Sequence, residues 1–341
     1  WLLYEGHPYR HPVLGLAAGL RAATLEDVKK HAAAVFTAER LTVGLAGAAD
    51  AKLEARARAD FAAGLPSHGR APVKVPVAAA PAGRRVLVVD KPDAKSTAIS
   101  LGFPLPVTRA DDDFAALALV ASYFGEHRQF HGVLFKSLRE ARGLNYGDYA
   151  YVESFIQEGY ERFPRAGTSR SEQLFTIWIR PVPNDKAMFA LRGALYYLQK
   201  LVDEGMTKEA FERTRGFLSG YSFLMEQTEM RRLGYLIDDR FYGLGAPHLE
   251  RMRAAWAKMT VDDVNAVIKK YLGYKDIDIA VVTAGGAAFK DALVAGAPSP
   301  IKYDTKKPAA VLKEDTSIIA YPLGLTADRV EVVPVDAVFE K

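Results

Sequence analysis

Two periods run through the hydrophobic positions of this chain, one near 3.6 residues and one of two. Helical spacing recurs in several stretches. Thr24-Leu25-Glu26-Asp27 pairs a hydroxyl with an acid three residues on, the signature of a capped start, and Val28, Ala32, Val35 and Phe36 follow on one face. A helix is expected over 51–62, and a nearly all-apolar one from Asp111 to about Phe124 reads as buried. Met188, Leu191, Leu195, Leu198 and Val202 step by three and four behind Asn184, read as the cap, until Gly205 stops them. Thr207 opens a helix turning Phe211, Phe217 and Tyr221 inward, and further helices are expected over 230–241, 249–257 and 287–294. Period two marks strands at 41–46, 85–89, 97–103, 173–180 (ended by Pro181) and 330–333.

One pattern occurs twice. Thr260-Val261-Asp262-Asp263-Val264 matches Thr24-Leu25-Glu26-Asp27-Val28 at an offset of 236 residues, and at that offset Leu41, Val43 and Leu45 fall on Ile277, Ile279 and Val281. Capped helix, short turn and strand recur without a gap, which implies two copies of one α/β module. With the second copy starting near Arg85, the first is expected to begin roughly 150 residues before Trp1, so the chain reads as a partial or trimmed polypeptide. The fold class is therefore α/β (α+β): a duplicated module of mixed or antiparallel sheet covered by helices. Residues 1–63 are the tail of a first module, 64–84 a Pro/Gly/Ala-rich linker, 85–290 a complete second module, and 291–341 an extension packing on the body. An incomplete module leaves a core face and a sheet edge bare, so a partner chain or upstream fragment is expected.

Composition narrows the function classes. The 341 residues are 49% hydrophobic and 25% charged, ordinary for a globular protein with a sizeable core. The net charge of +4 comes from 45 basic and 41 acidic residues that are interspersed, giving no basic stripe for nucleic acid. Cysteine is absent, which removes disulfides, thiolate metal sites and Cys nucleophiles. No apolar run reaches membrane-spanning length. Cytoplasm and periplasm both remain open.

The chain is organised around Leu134-Phe135-Lys136-Ser137-Leu138-Arg139-Glu140-Ala141-Arg142-Gly143-Leu144-Asn145-Tyr146. Leu134, Leu138 and Ala141 repeat at helical spacing, Gly143 sits where a C-cap tolerates positive φ, and 146–155 has strand composition. A tight helix-to-strand corner brings Arg139 and Tyr146 to one place. Leu138-Arg139-Glu140 followed by Arg142-Gly143-Leu144 and Tyr146 resembles the second half of pitrilysin/insulinase-type zinc peptidases, the family of the mitochondrial processing peptidase. The resemblance covers roughly residues 1–290 and includes the Gly6-His7-Pro8-Tyr9 loop, structural in that family. It implies paired α/β modules, with Arg139 and Tyr146 facing a zinc carried on another module and holding the peptide backbone.

Zinc chemistry in that family needs His-x-x-Glu-His on one helix. None of His7, His11, His31, His68, His127, His131 and His248 stands in that pattern or in its reverse, and Phe114-Ala115-Ala116-Leu117-Ala118 of the helix expected from Asp111 offers no ligand. His7 and His11 are four apart, but Pro8 and Pro12 prevent a regular helix through both. His127 and His131 are also four apart. Gly125 and Gly132 bracket them and no carboxylate lies between, so a turn is weighed against a metal site. The expectation is a substrate-binding, catalytically incomplete half or subunit of a zinc endopeptidase. No metal is expected in this chain, zinc lies on the missing module or partner, and the substrate is an unfolded peptide. A second module or a homodimer completes it. The alternative is a non-catalytic scaffold or binding subunit of the same fold.

Overall fold

The computed structural model describes residues 1–71, 73–155 and 161–340, with the backbone alone at Ala62. Among them, β1 (Arg85–Asp90), β2 (Ser96–Leu105), β3 (Asp148–Tyr151), β4 (Gln173–Pro183), β5 (Asp278–Thr283) and β6 (Val330–Pro334) form one sheet in the order β3-β4-β2-β5-β1-β6. β1 runs parallel to β5 and β6, while β2 is antiparallel to β4 and β5 and β3 is antiparallel to β4. The sheet is mixed and helix-covered, as the fold reading requires.

Three helices precede the sheet: α1 (Ala17–Ala22), α2 (Leu25–Val35) and α3 (Ala51–Ala63). The others are α4 (Phe114–Gly125), α5 (Ala187–Glu204), α6 (Lys208–Met225), α7 (Glu229–Tyr242), α8 (His248–Lys258), α9 (Val261–Tyr271), α10 (Gly286–Ala295) and α11 (Ala309–Ile319). Ile99, Leu101 and Phe103 of β2, Phe175, Ile177 and Ile179 of β4, and Ile279 and Val281 of β5 point into one core. There they meet Leu117 and Val120 of α4, Leu191, Leu195 and Leu198 of α5, and Val264 and Ile268 of α9. Alternation sends the even-numbered side chains of β4 to the opposite face, where Leu174, Thr176, Trp178 and Arg180 stay half-buried.

The repeated pattern folds in one copy and stays bare in the other. Both threonines close full capping boxes: the Thr24 amide donates to Asp27 Oδ2 at 2.9 Å and that of Thr260 to Asp263 Oδ2 at 2.8 Å. Yet α9 buries Val264, Val267 and Ile268, whereas α2 buries none of its residues and leaves Leu25 and Val28 exposed. The strand expected at 41–46 is not formed: the run carries no ladder, while its counterpart β5 lies between β2 and β1. A strand needs a neighbour, and Leu41, Val43 and Leu45 have none among the described residues. Gly44 instead presses on α7, where a Cβ would lie 2.7 Å from Leu233 Cδ1.

Other expectations shift at their edges. The strand expected over 146–155 shortens to β3, because its first residues are held in a turn. Asn184 caps no helix. It opens a 3-10 turn, accepts from Thr97 Oγ1 at 2.8 Å and donates to the Ala94 carbonyl. α1 and α11 arise where the hydrophobic spacing marks no helix.

Candidate functional site

The corner after α4 is built by close backbone packing. α4 ends at Gly125, whose absent Cβ would sit 2.7 Å from the Ala150 amide nitrogen, and Gly132 stacks on Gly125 in turn. Helical turns resume at 133 and widen: Phe135–Glu140 is π-helical, with the Ala141 amide donating to the Lys136 carbonyl at 2.9 Å. Such widened turns are frequent at functional sites. Gly143, at φ +68°, closes the helix, its amide donating to the Arg139 carbonyl at 2.8 Å. Asn145 then shapes the turn into β3. Its Oδ1 accepts from the Gly147 amide, and its Nδ2 donates to Asp148 Oδ1 at 2.6 Å and to the Arg180 carbonyl at 2.9 Å.

Arg139 and Tyr146, seven residues apart in sequence, come together. The Arg139 guanidinium lies 4.6 Å from the Phe135 ring centre and 5.6 Å from that of Tyr146, which is 72% exposed. The two side chains neither diverge nor vanish into packing. Arg180, which the sequence reading passed over, also lies against Tyr146, 5.3 Å from its ring centre and 5.6 Å from that of Trp178. The even-residue alternation of 173–180 could have found it, since Arg180 shares the face of Trp178.

Next to this group an aromatic cluster packs on β3 and β4. Tyr149 and Trp178 pair across β3 and β4, and Tyr151 stacks on Phe155 at 4.7 Å. His127 fills the centre, 4.9 Å from Tyr149 and 4.6 Å from Phe155, with Nδ1 2.8 Å from the Tyr151 hydroxyl. Burial, reinforced by the charge of Arg128, pushes His127 down to about 4, so the ring is neutral at physiological pH. Burial also pushes Asp148 up to about 7, against the opposing pull of Asn145 and Arg180, and its Oδ2 has no hydrogen-bond partner among the described residues.

The helix carrying Arg139 is stapled from the C-terminal side of the chain. Arg142 is buried and donates from Nε to Asp315 Oδ1 at 2.8 Å and from Nη2 to Glu314 Oε2 at 2.9 Å, both on α11. Its Nη1 reaches the Ser137 carbonyl at 2.8 Å and the Tyr197 hydroxyl at 2.9 Å. Burial opposes the charge of Arg142, but Tyr197 and the two carboxylates outweigh it and raise its proton affinity.

The histidine pairs do not make metal sites. His127 faces Tyr151, while the His131 ring packs 4.3 Å from Phe217 with Nε2 near Ser122 Oγ. His7 accepts from the Tyr9 amide at Nδ1 and meets the Pro76 carbonyl at Nε2, and His11 is exposed. Among the described residues no three His, Asp or Glu side chains gather as a ligand set, and no helix is long and apolar enough to cross a membrane.

Comparison with known proteins follows the same lines. The chain is 25% identical over 79% of its length to an uncharacterized zinc protease of Mycobacterium bovis, of which it covers 58%. It is 21% identical over 82% of its length to the non-peptidase homolog YmxG of Helicobacter pylori, covering 60% of that protein. The chain thus spans somewhat under two thirds of these relatives. Its fold superimposes on the crystal structure of a peptidase M16 inactive domain from Pseudomonas fluorescens with a TM-score of 0.70 and 24% identity, covering 83% of this chain and 62% of that one. A family model described as the peptidase M16 inactive domain matches residues 22–218, more than half of the sequence. With the signature around Arg139 pointing the same way, this chain belongs to the M16 peptidase family, as a bearer of its inactive domain.

Proposed function

We propose that this chain is the substrate-holding part of a zinc endopeptidase whose metal and general base lie on another module or subunit. The observation that carries this reading is the juxtaposition of Arg139 with an exposed Tyr146, the guanidinium 5.6 Å from the ring centre. A guanidinium offers fixed donors and a permanent charge, and a phenol offers one more donor. Together they hold the carbonyls of an extended peptide and stabilise the oxyanion that forms when water attacks. Zinc, bound elsewhere, supplies the Lewis acid and the activated water.

The paired-module organisation follows from the same reading, with residues 1–63 as the tail of a first module and 85–290 as a second. α2 keeps Leu25 and Val28 exposed behind an intact cap, as expected of a helix whose partner belongs to the other module. Combining this chain with a His-x-x-Glu-His-bearing half, and following cleavage of an unfolded peptide, tests the proposal. Cleavage by the mixture, and by neither component alone, is expected. Full turnover by the zinc-bearing half alone contradicts it.

A second reading keeps the fold and drops the chemistry: a scaffold or binding subunit. The name of the Helicobacter pylori relative, a non-peptidase homolog, favours it. The two readings part at Arg139 and Tyr146, which matter for turnover only in the first.

A further inference from the structure

Most buried and half-buried arginines among the described residues find carboxylates or carbonyls. Arg85 meets Asp278, Arg109 meets Glu153 and Asp238, Arg142 meets Asp315 and Glu314, and Arg253 meets Glu226. Arg192 donates to the carbonyls of Ile319, Gly296 and Ala297. Arg139 and Arg180 depart from that rule, as does Arg10 on the Trp1 ring. Arg139 and Arg180 are both half-buried, both lie against the Tyr146 ring, and neither has a carboxylate at ion-pair distance among the described residues. Arg139 also lies against the Phe135 ring, and Arg180 against Trp178 and the Tyr149 hydroxyl.

The acids nearest in the chain do not compensate. Glu140 is exposed and forms no ion pair among the described residues. Asp148 is buried, turned to Asn145, and biased by burial toward its neutral form. Two like charges therefore share one exposed phenol, with aromatic rings beside them and no carboxylate paired to either among the described residues. Like charges so placed repel, and aromatic faces offset that repulsion only in part. An anionic ligand relieves that repulsion, and an arginine fork suits a carboxylate with two parallel hydrogen bonds.

We propose that Arg180 is a specificity-determining residue that receives a peptide carboxylate beside the backbone unit held by Arg139 and Tyr146. The ligand class is an acidic peptide, with the carboxylate coming from a Glu or Asp side chain or from the peptide C-terminus. This inference rests on the peptide-holding reading above and adds the chemistry of the neighbouring subsite. The backbone of Arg180 is held independently of its side chain, its amide donating to the Gly147 carbonyl and its carbonyl accepting from Asn145 Nδ2, so replacing the side chain spares these contacts.

The test is peptide binding to the full chain at low salt, followed by Trp178 fluorescence or calorimetry. Three short unstructured peptides serve as probes: a capped one with a central Glu, its capped Gln twin, and the Gln twin with a free C-terminal carboxylate. The wild-type chain is expected to bind the Glu peptide roughly five- to tenfold more tightly than the capped Gln peptide, the gain of a partly screened charged pair. In Arg180→Gln that preference falls to about twofold or less, while the Gln peptide binds as before. A side-chain site gives the gain to the central Glu, and a terminus site gives it to the free carboxylate. Equal binding of all three by the wild type, or a preference that survives Arg180→Gln, overturns the carboxylate assignment and leaves the peptide-holding reading standing. Binding of none of the three overturns both.

Discussion

Replacing Arg142 by Met gives the sharpest stability test of how the corner is held. The substitution keeps an unbranched apolar stem in a site where the Arg142 side chain is 1% exposed, and deletes the charge. It removes two hydrogen bonds to carboxylates, on Asp315 and Glu314, and two to neutral oxygens, on Ser137 and Tyr197. Hydrogen bonds to charged groups contribute about 1.5–3 kcal/mol each, neutral ones about 0.5–1.5 kcal/mol. The Glu314 side chain is 29% exposed and regains water, so its share is discounted, whereas that of Asp315 is 5% exposed and is left as a buried carboxylate without its cation. The expected loss is about 3–5 kcal/mol, the usual cost of breaking a buried pair from one side. Urea unfolding followed by circular dichroism reads it as a lower midpoint at similar slope. Arg142→Met combined with Asp315→Leu removes both charges and is expected to recover at least half of the loss, because an apolar pair of similar volume is often as stable as the ions it replaces. A loss below about 1 kcal/mol in the single variant, or a double variant no better than the single, refutes the view that α11 staples the corner through this pair.

Two further outcomes follow from the same geometry. Asp148 holds its proton up to about pH 7 when folded, against an ordinary carboxyl near 3.8, so the folded state binds more protons between those limits. Stability is then greatest below the unfolded value and falls as pH rises toward 7, by at most about 1.4 kcal/mol per pH unit. Asp148→Asn is expected to flatten this decline relative to wild type in urea midpoints measured from pH 4 to pH 8. Parallel curves for the two proteins contradict the burial argument. Gly125→Ala pushes a methyl against the β3 backbone at Ala150 and is expected to destabilise by about 1–3 kcal/mol and to perturb the near-ultraviolet signal of the Tyr149–Trp178 cluster. An unchanged midpoint would show that the sheet edge yields there.

Local rules made much of this fold readable, and they failed where a partner decides the outcome. The capping boxes at Thr24 and Thr260 formed as their residue types require, because a hydroxyl and an acid three apart satisfy each other without outside help. Strand 41–46 had the same alternation as β5 and did not form, since alternation names a face and supplies no neighbour to bond. The Arg139–Tyr146 corner could be read because Gly143 marks the stop and seven residues span it. Arg142 and Asp315 lie 173 residues apart, and no spacing rule connects them. Asn184 looked like a cap because its residue type suits one, yet its side chain is committed to Thr97 and Ala94. Histidine spacing misled in the same way: His127 and His131 sit four apart, but the chain between Gly125 and Gly132 is not a regular helix, and the rings turn to different neighbours.

The central claim is that Arg139 and Tyr146 act on a peptide at a zinc centre they do not carry. The measurement that bears on it most directly is turnover of an unfolded peptide by this chain assembled with its zinc-bearing half, compared among wild type, Arg139→Ala and Tyr146→Phe at matched folding and zinc content. The account predicts a fall of about 10² to 10³ in kcat for each variant, the usual effect of losing one preorganised oxyanion donor. Wild-type turnover in both variants would contradict it and leave the chain a scaffold of the same fold.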